Sequence, residues 1–163
     1  MLHCLVLLCQ ERKLCRLPQP LSKGIRQLGI QRMAIIAHIT DRHPELIPSS
    51  PESRDRYWEI LSLLGTTMYP AYHRQHHPYY YGPEAAFNEM RRLAQVDQSA
   101  LFNHVDAMLT PYLCGDILTA ADFYFYMMSR WDMNKKIMLD GRPKLKTFIN
   151  KMRTHPSLCD YFF

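Results

Sequence analysis

The chain of 163 residues is long enough to bury a core of its own, and 47% hydrophobic with 21% charged residues excludes a disordered polymer. Its formal charge of +5 is uneven: residues 1–30 carry Arg12, Lys13, Arg16, Lys23 and Arg26 against Glu11 alone, and the rest is close to neutral, which leaves a basic nucleic-acid groove without support. No stretch reaches the roughly 18 apolar residues of a membrane span, and MLHCLVLLCQERK lacks a leader's basic run and small-residue cleavage pattern, so the reading is a cytoplasmic protein with no membrane partner.

Residues 1–30 are the least coherent part. Leu5 to Leu8 form a short apolar run, Pro18 and Pro20 bracket a stiff turn, and Gly24 and Gly29 interrupt the segment after that turn. Met33 to Thr40 then reads as a short apolar helix that stops near Asp41, because Pro44 disfavours helix at the residue before it. In HPELIPSSPESRDR, Ser50 is placed as an N-cap and Pro51 as the first helical residue. Tyr57, Trp58, Ile60, Leu61, Leu64, Met68 and Tyr69 recur at helical spacing and predict one long helix to about Tyr72, bent or ended between Gly65 and Pro70.

A loop, YHRQHHPYYYG, separates this helix from a second long one opened by Pro83. There Phe87, Met90, Leu93, Ala94, Val96, Asp97, Leu101, His104, Val105 and Met108 keep a period near 3.6, and the two helices are expected to pair antiparallel. In DILTAADFYFYMMSRW, Thr119 and Asp122 form a capping box, with Leu118 and Phe123 as its hydrophobic staple. Phe123 to Met128 leave no polar face before Ser129, so this helix belongs at the centre of the fold. Gly141 and Pro143 open a helix with Leu145, Phe148, Ile149 and Met152 inward; Leu158, Tyr161 and Phe162 are expected to close the bottom of the core. The fold class is all-α, a bundle around one buried core helix.

Few residues invite a chemical reading on their own. Asp122 lies in the most apolar segment, but the capping box supplies its partners, so Thr119 and Asp122 read as structural. His73, His76 and His77 have a spacing competent for Zn²⁺ or Ni²⁺, yet Pro78 and three tyrosines come directly after them; they read as a solvated loop and no metal is assigned. Tyr79, Tyr80 and Tyr81 suit contact with a partner or ligand, or packing of the loop. The cysteines Cys4, Cys9, Cys15, Cys114 and Cys159 are odd in number without a C-x-x-C pair and read as reduced thiols, none with a readable activating geometry. No catalytic residue is assigned.

The order of these signals resembles the C-terminal domain of the cytosolic glutathione transferases, especially the bacterial beta-like classes. The resemblance is carried by G-D-x-x-T-x-A-D at Gly115, Asp116, Thr119, Ala121 and Asp122, by Arg130-Trp131, by R-T-H-P-S at Arg153 to Ser157, and upstream by MAIIAHITDRHPELIP. It implies that residues 1–32 are an atypical segment, a remnant or replacement of a thioredoxin-like domain; that 33–50 are that domain's last helix and the linker; and that 51–163 are the helical domain. The family's reaction is attack of a glutathione thiolate on a hydrophobic electrophile. Gln31 and Arg32 fall where the family contacts the γ-glutamyl end of glutathione, Arg32 replacing a serine, and Gly65 falls where the beta-like enzymes carry a cleft-facing histidine. Arg130 and Trp131 match residues on the electrophile side of the cleft. Trp131 with Tyr69 and Tyr72 then either walls a substrate cleft or packs as plain core. The thiol-activating residue has no match, which implies weak or lost transferase activity with glutathione as the possible co-substrate. Self-association is expected. The alternative is a non-catalytic interaction module or a protein that sequesters hydrophobic ligands.

Overall fold

The computed structural model describes residues 32–156 and Leu158. Gln31, the three N-terminal cysteines, Cys159, Tyr161 and Phe162 lie outside these residues. Seven α-helices succeed one another among the described residues: α1 Arg32–Arg42, α2 Pro51–Leu63, α3 Tyr69–His76, α4 Phe87–Met108, α5 Ala120–Ser129, α6 Lys135–Leu139 and α7 Pro143–Arg153. No β-strand is present among them.

Local chemistry sets the helix starts. Ser50 caps α2 by accepting from the Ser53 N–H at 3.2 Å, with Pro51 in the first turn where its missing N–H matters least. At α7, Pro143 again takes the first turn, and the Leu145 N–H donates to Asp106 Oδ1 of α4 at 2.7 Å. That carboxylate satisfies an orphan donor at the positive end of the α7 dipole and ties two helices together.

Between α2 and α3 the chain does not break. Leu64–Met68 forms a single π-helical turn, and the Tyr69 N–H donates to the Leu64 carbonyl five residues back. Pro70 supplies the reason: its ring would strike the Thr66 carbonyl in a regular α-helix and it has no N–H to offer, so a widened turn absorbs it. The helix then runs on to His76, beyond the expected end near Tyr72, which places His73 and His76 on its last turn and not in a loop.

The two long helical runs are antiparallel. Arg56 near the start of α2 donates to the Met108 and Leu113 carbonyls at 2.7 and 3.0 Å, while Gln75 at the end of α3 meets Gln98 in the middle of α4. Their buried faces are narrower than the hydrophobic periodicity suggested. On α4 the buried stripe is Ala94, Gln98, Leu101, Phe102 and Val105, whereas Leu93 and Val96 are 49% and 55% exposed and His104 also faces solvent. Trp58 of α2, expected in the core, is 42% exposed.

All ten residues of α5 are buried. Each large apolar side chain among them stabilises the fold by about 1.5–3 kcal/mol relative to exposure. Phe125 packs against Phe102 of α4 and Phe148 of α7, with ring centroids 6.4 and 5.6 Å apart. The helix can lie there because its polar first turn is satisfied. Asp122 Oδ2 accepts from the Thr119 N–H at 2.8 Å and the Thr119 hydroxyl at 2.7 Å, and Oδ1 accepts from the Leu113 N–H at 2.8 Å. Burial still pushes the Asp122 carboxyl up to about 6, against the pull of those hydrogen bonds.

Candidate functional site

The π turn aims the first residues of α3 at the end of α5. Tyr69 and Tyr72 both meet the Trp131 ring edge-on, with centroids 5.9 and 6.0 Å away and interplanar angles of 66° and 90°. Edge-to-face contacts of this kind add about 0.5–1.5 kcal/mol beyond burial. Tyr72 is only 1% exposed and supports Trp131 from behind, while Tyr69 and Trp131 are half-buried and keep free surface. Three further contacts hold the turn carrying Trp131. His76 Nε2 lies 3.1 Å from the Trp131 carbonyl oxygen, and Lys135 Nζ donates to the Ser129 and Asp132 carbonyls at 2.7 and 3.1 Å. The ammonium thus caps the negative end of α5.

Arg32 enters from the start of α1. Its guanidinium carbon stands 4.2 Å from the Tyr69 ring centroid, a cation–π contact that joins the glutathione-side candidate to the aromatic wall. Its charge also reaches His73, four residues after Tyr69, whose pKa is lowered by burial first and then by His77 and Arg32. A cation, a tyrosine and an imidazole biased toward its neutral form therefore share one face beside Trp131. Arg130, the residue before Trp131, is exposed, and its backbone N–H caps α5 through the Met127 carbonyl at 3.0 Å.

The three histidines do not converge on one point. His73 Nδ1 pairs with the Tyr81 hydroxyl at 2.8 Å, His77 Nδ1 with the Tyr79 hydroxyl at 2.9 Å, and His76 with Trp131. Among the described residues no group of three or more His, Cys, Asp or Glu side chains is arranged to hold a metal ion. Tyr79, Tyr80 and Tyr81 remain 47–69% exposed around these imidazoles, with Tyr80 stacked on His73 at 5.5 Å.

Gly65 lies within the π turn against α1. A Cβ there would stand 3.1 Å from Met33 Sδ and 3.3 Å from Cγ, so the space beside Gly65 is taken by Met33.

The sequence reading missed a buried polar set on the other side of α3. Gln75 and Gln98 are each 2% exposed and share a 2.9 Å hydrogen bond, and Arg142, 7% exposed, makes five. A signal existed: Gln98 sits four residues after Ala94 and three before Leu101, on the apolar stripe of α4.

A family profile described as "Glutathione S-transferase, C-terminal domain" matches residues 72–162, more than half of the chain. The glutathione S-transferase GstA of Escherichia coli O157:H7 is 25% identical over 134 residues, covering 78% of this chain. The chain spans 63% of that relative's length. Two solved structures share the fold. One is a glutathione transferase homolog from sulfitobacter with bound glutathione, at TM-score 0.71 and 20% identity over 78% of this chain and 72% of that one. The other is a sphingomonad glutathione S-transferase complexed with glutathione, at TM-score 0.64 and 23% identity over 78% of this chain and 63% of that one. The capped and fully buried α5, the helices packed on it and the profile match lead to one conclusion: this chain belongs to the glutathione S-transferase family and carries its C-terminal helical domain.

Proposed function

We propose that the chain forms the electrophile side of a glutathione-transferase cleft, holding a hydrophobic electrophile against Tyr69 and Trp131 while Arg32, with Gln31, engages the γ-glutamyl end of glutathione. The observation that carries this reading is the Arg32–Tyr69–Trp131 cluster, in which a guanidinium able to pair with a carboxylate lies directly on the aromatic wall. In the reaction a glutathione thiolate forms a carbon–sulfur bond to the electrophile, and the leaving group departs with its electron pair. The wall supplies apolar contact and orientation to that step. Arg130, at the mouth of the same turn, belongs to the reading as a flanking cation.

Conjugation by this chain is proposed to be weak or lost. Two positions support that: Arg32 stands where a small hydroxyl is expected, and any side chain at residue 65 would start against Met33. The assignment of residues 33–50 as the end of a thioredoxin-like unit with its linker, a cytoplasmic setting where glutathione is reduced, and self-association belong to the same proposal. Within the described residues no helix is long and apolar enough to cross a membrane.

Titration calorimetry of the full chain with reduced glutathione tests it, with the mass in solution measured alongside. Saturable binding with a Kd between about 1 μM and a few millimolar, weakened at least tenfold by Arg32→Met, is expected. Absence of heat in a folded sample would overturn the glutathione site and leave a scaffold or ligand-holding protein. Trp131→Ala should weaken binding of an aryl halide while leaving glutathione affinity within about twofold.

A further inference from the structure

A cleft of about 150 Å³ lies between the end of α3, the middle of α4 and the 132–142 segment that carries α6. None of its lining residues belongs to the Tyr69–Tyr72–Trp131 wall. Its floor and lip are apolar, from Phe102, Met138 and the exposed Ile137, and the Gln75–Gln98 pair faces it. We infer that this cleft is a second binding site, for a small neutral molecule that carries an amide-like donor–acceptor edge on an apolar body.

Two glutamine amides hold two acceptor oxygens and four N–H donors, and the 2.9 Å contact from Gln98 Nε2 to Gln75 Oε1 uses one of each. Gln75 Nε2 and Gln98 Oε1 have no other protein partner among the described residues, although both residues are only 2% exposed. Exchanging O and N in both amides leaves the same remainder, one acceptor and spare donors. Neither atom is among the fully buried polar atoms without a partner, so both open on the cleft, and a ligand amide that accepts from one glutamine and donates to the other pairs with both.

Of the other polar groups at the cleft, Gln95 is exposed at the rim, and Arg142, Asn134 and Asp132 are engaged. Arg142 spends its five N–H donors on the Asn103 side chain, the Ile137 and Met138 carbonyls, and the carbonyl and hydroxyl of Ser99. Asn134 accepts from the Ile137 N–H at 3.2 Å, and Asp132 accepts from the Asn134 N–H at 2.8 Å. The guanidinium therefore has no donor left for an anionic ligand, and the Asp132 carboxylate at the rim disfavours one. The Gln75 and Gln98 edges, with the Gln95 amide at the rim, are left to select a neutral amide. The volume of about 150 Å³ is of the size a benzene-sized ring occupies.

The site stands whether or not the chain conjugates glutathione. Its test uses benzamide, with toluene and benzoate as controls, titrated to about 20 mM into ¹⁵N-labelled full-length protein, because a ligand of this size is expected to bind with a Kd on the order of a millimolar. Benzamide should shift the side-chain NH₂ resonances of Gln75 and Gln98 saturably, and both controls should bind at least tenfold more weakly. Gln98→Met, close in volume and without the amide edge, should weaken benzamide at least tenfold. Should that variant fail to fold by circular dichroism, the wild-type resonances and Gln75→Met decide the matter. No shift of either glutamine, shifts by benzamide and toluene at equal concentrations, or undiminished benzamide binding by a folded methionine variant would each overturn the site.

Discussion

The guanidinium of Arg32 lies over the ring of Tyr69, 4.2 Å from its centroid, so the first residue of α1 and the first of α3 are one unit. Arg32→Met should change stability by no more than about 1 kcal/mol, the usual range of a partly exposed cation–π contact. The same substitution removes a positive neighbour of His73, whose pKa should then rise toward its ordinary value in an NMR titration. An unchanged His73 titration would show that the cation does not act on that face.

The Asp122 carboxyl gives a pH signature. Its pKa is about 6 in the fold against an ordinary 3.8, so between these values the folded state holds more protons than the unfolded one. Stability should therefore fall as pH rises from about 4 to about 6, by up to about 3 kcal/mol for a shift of about two units. Asp122→Asn should flatten that part of the profile and lower stability at pH 4, because its NH₂ must face one of the donors that now point at the carboxylate. Urea unfolding of both proteins across this window checks it; parallel profiles would refute the assignment.

Cys114 should be inert in the native state. Burial pushes its thiol up to about 11, and the Thr119 hydroxyl lies 3.8 Å from its Sγ. At pH 8 the thiolate fraction is then about one in a thousand, and alkylation should be at least about a hundredfold slower than in urea. Peptide-resolved mass spectrometry after iodoacetamide measures this residue apart from the other cysteines. Equal native and denatured rates would contradict the burial.

An imidazole placed at position 65 should cost stability. Gly65→His places a Cβ against Met33 and should cost about 1–3 kcal/mol through overpacking, while Met33→Ala in the same chain should recover part of the loss. Gly65→Ala should be milder, since its gain in helix propensity, up to about 1 kcal/mol, opposes the contact. Denaturant midpoints of the three variants test the order.

The sequence alone determined the features that depend on residues a few positions apart. The Thr119–Asp122 box, the fully apolar α5, the Ser50–Pro51 helix start and the disturbance between Gly65 and Pro70 come from local geometry and proline's missing donor. They sufficed for an all-α bundle around one buried helix. Tertiary structure decided the width of each buried face, because periodicity names a direction and neighbouring helices decide how far burial extends around it. Trp58, Leu93 and Val96 consequently face water, while Gln98 on the same periodic pattern is buried. It also decided the long-range pairs: Arg32 with Tyr69, Gln75 with Gln98, and Arg142 with carbonyls of two helices. Arg32 and Tyr69, Gln75 and Gln98, and Arg142 and Ser99 lie far apart along the chain, where no local period links them, and only the packing of their helices brings them into contact.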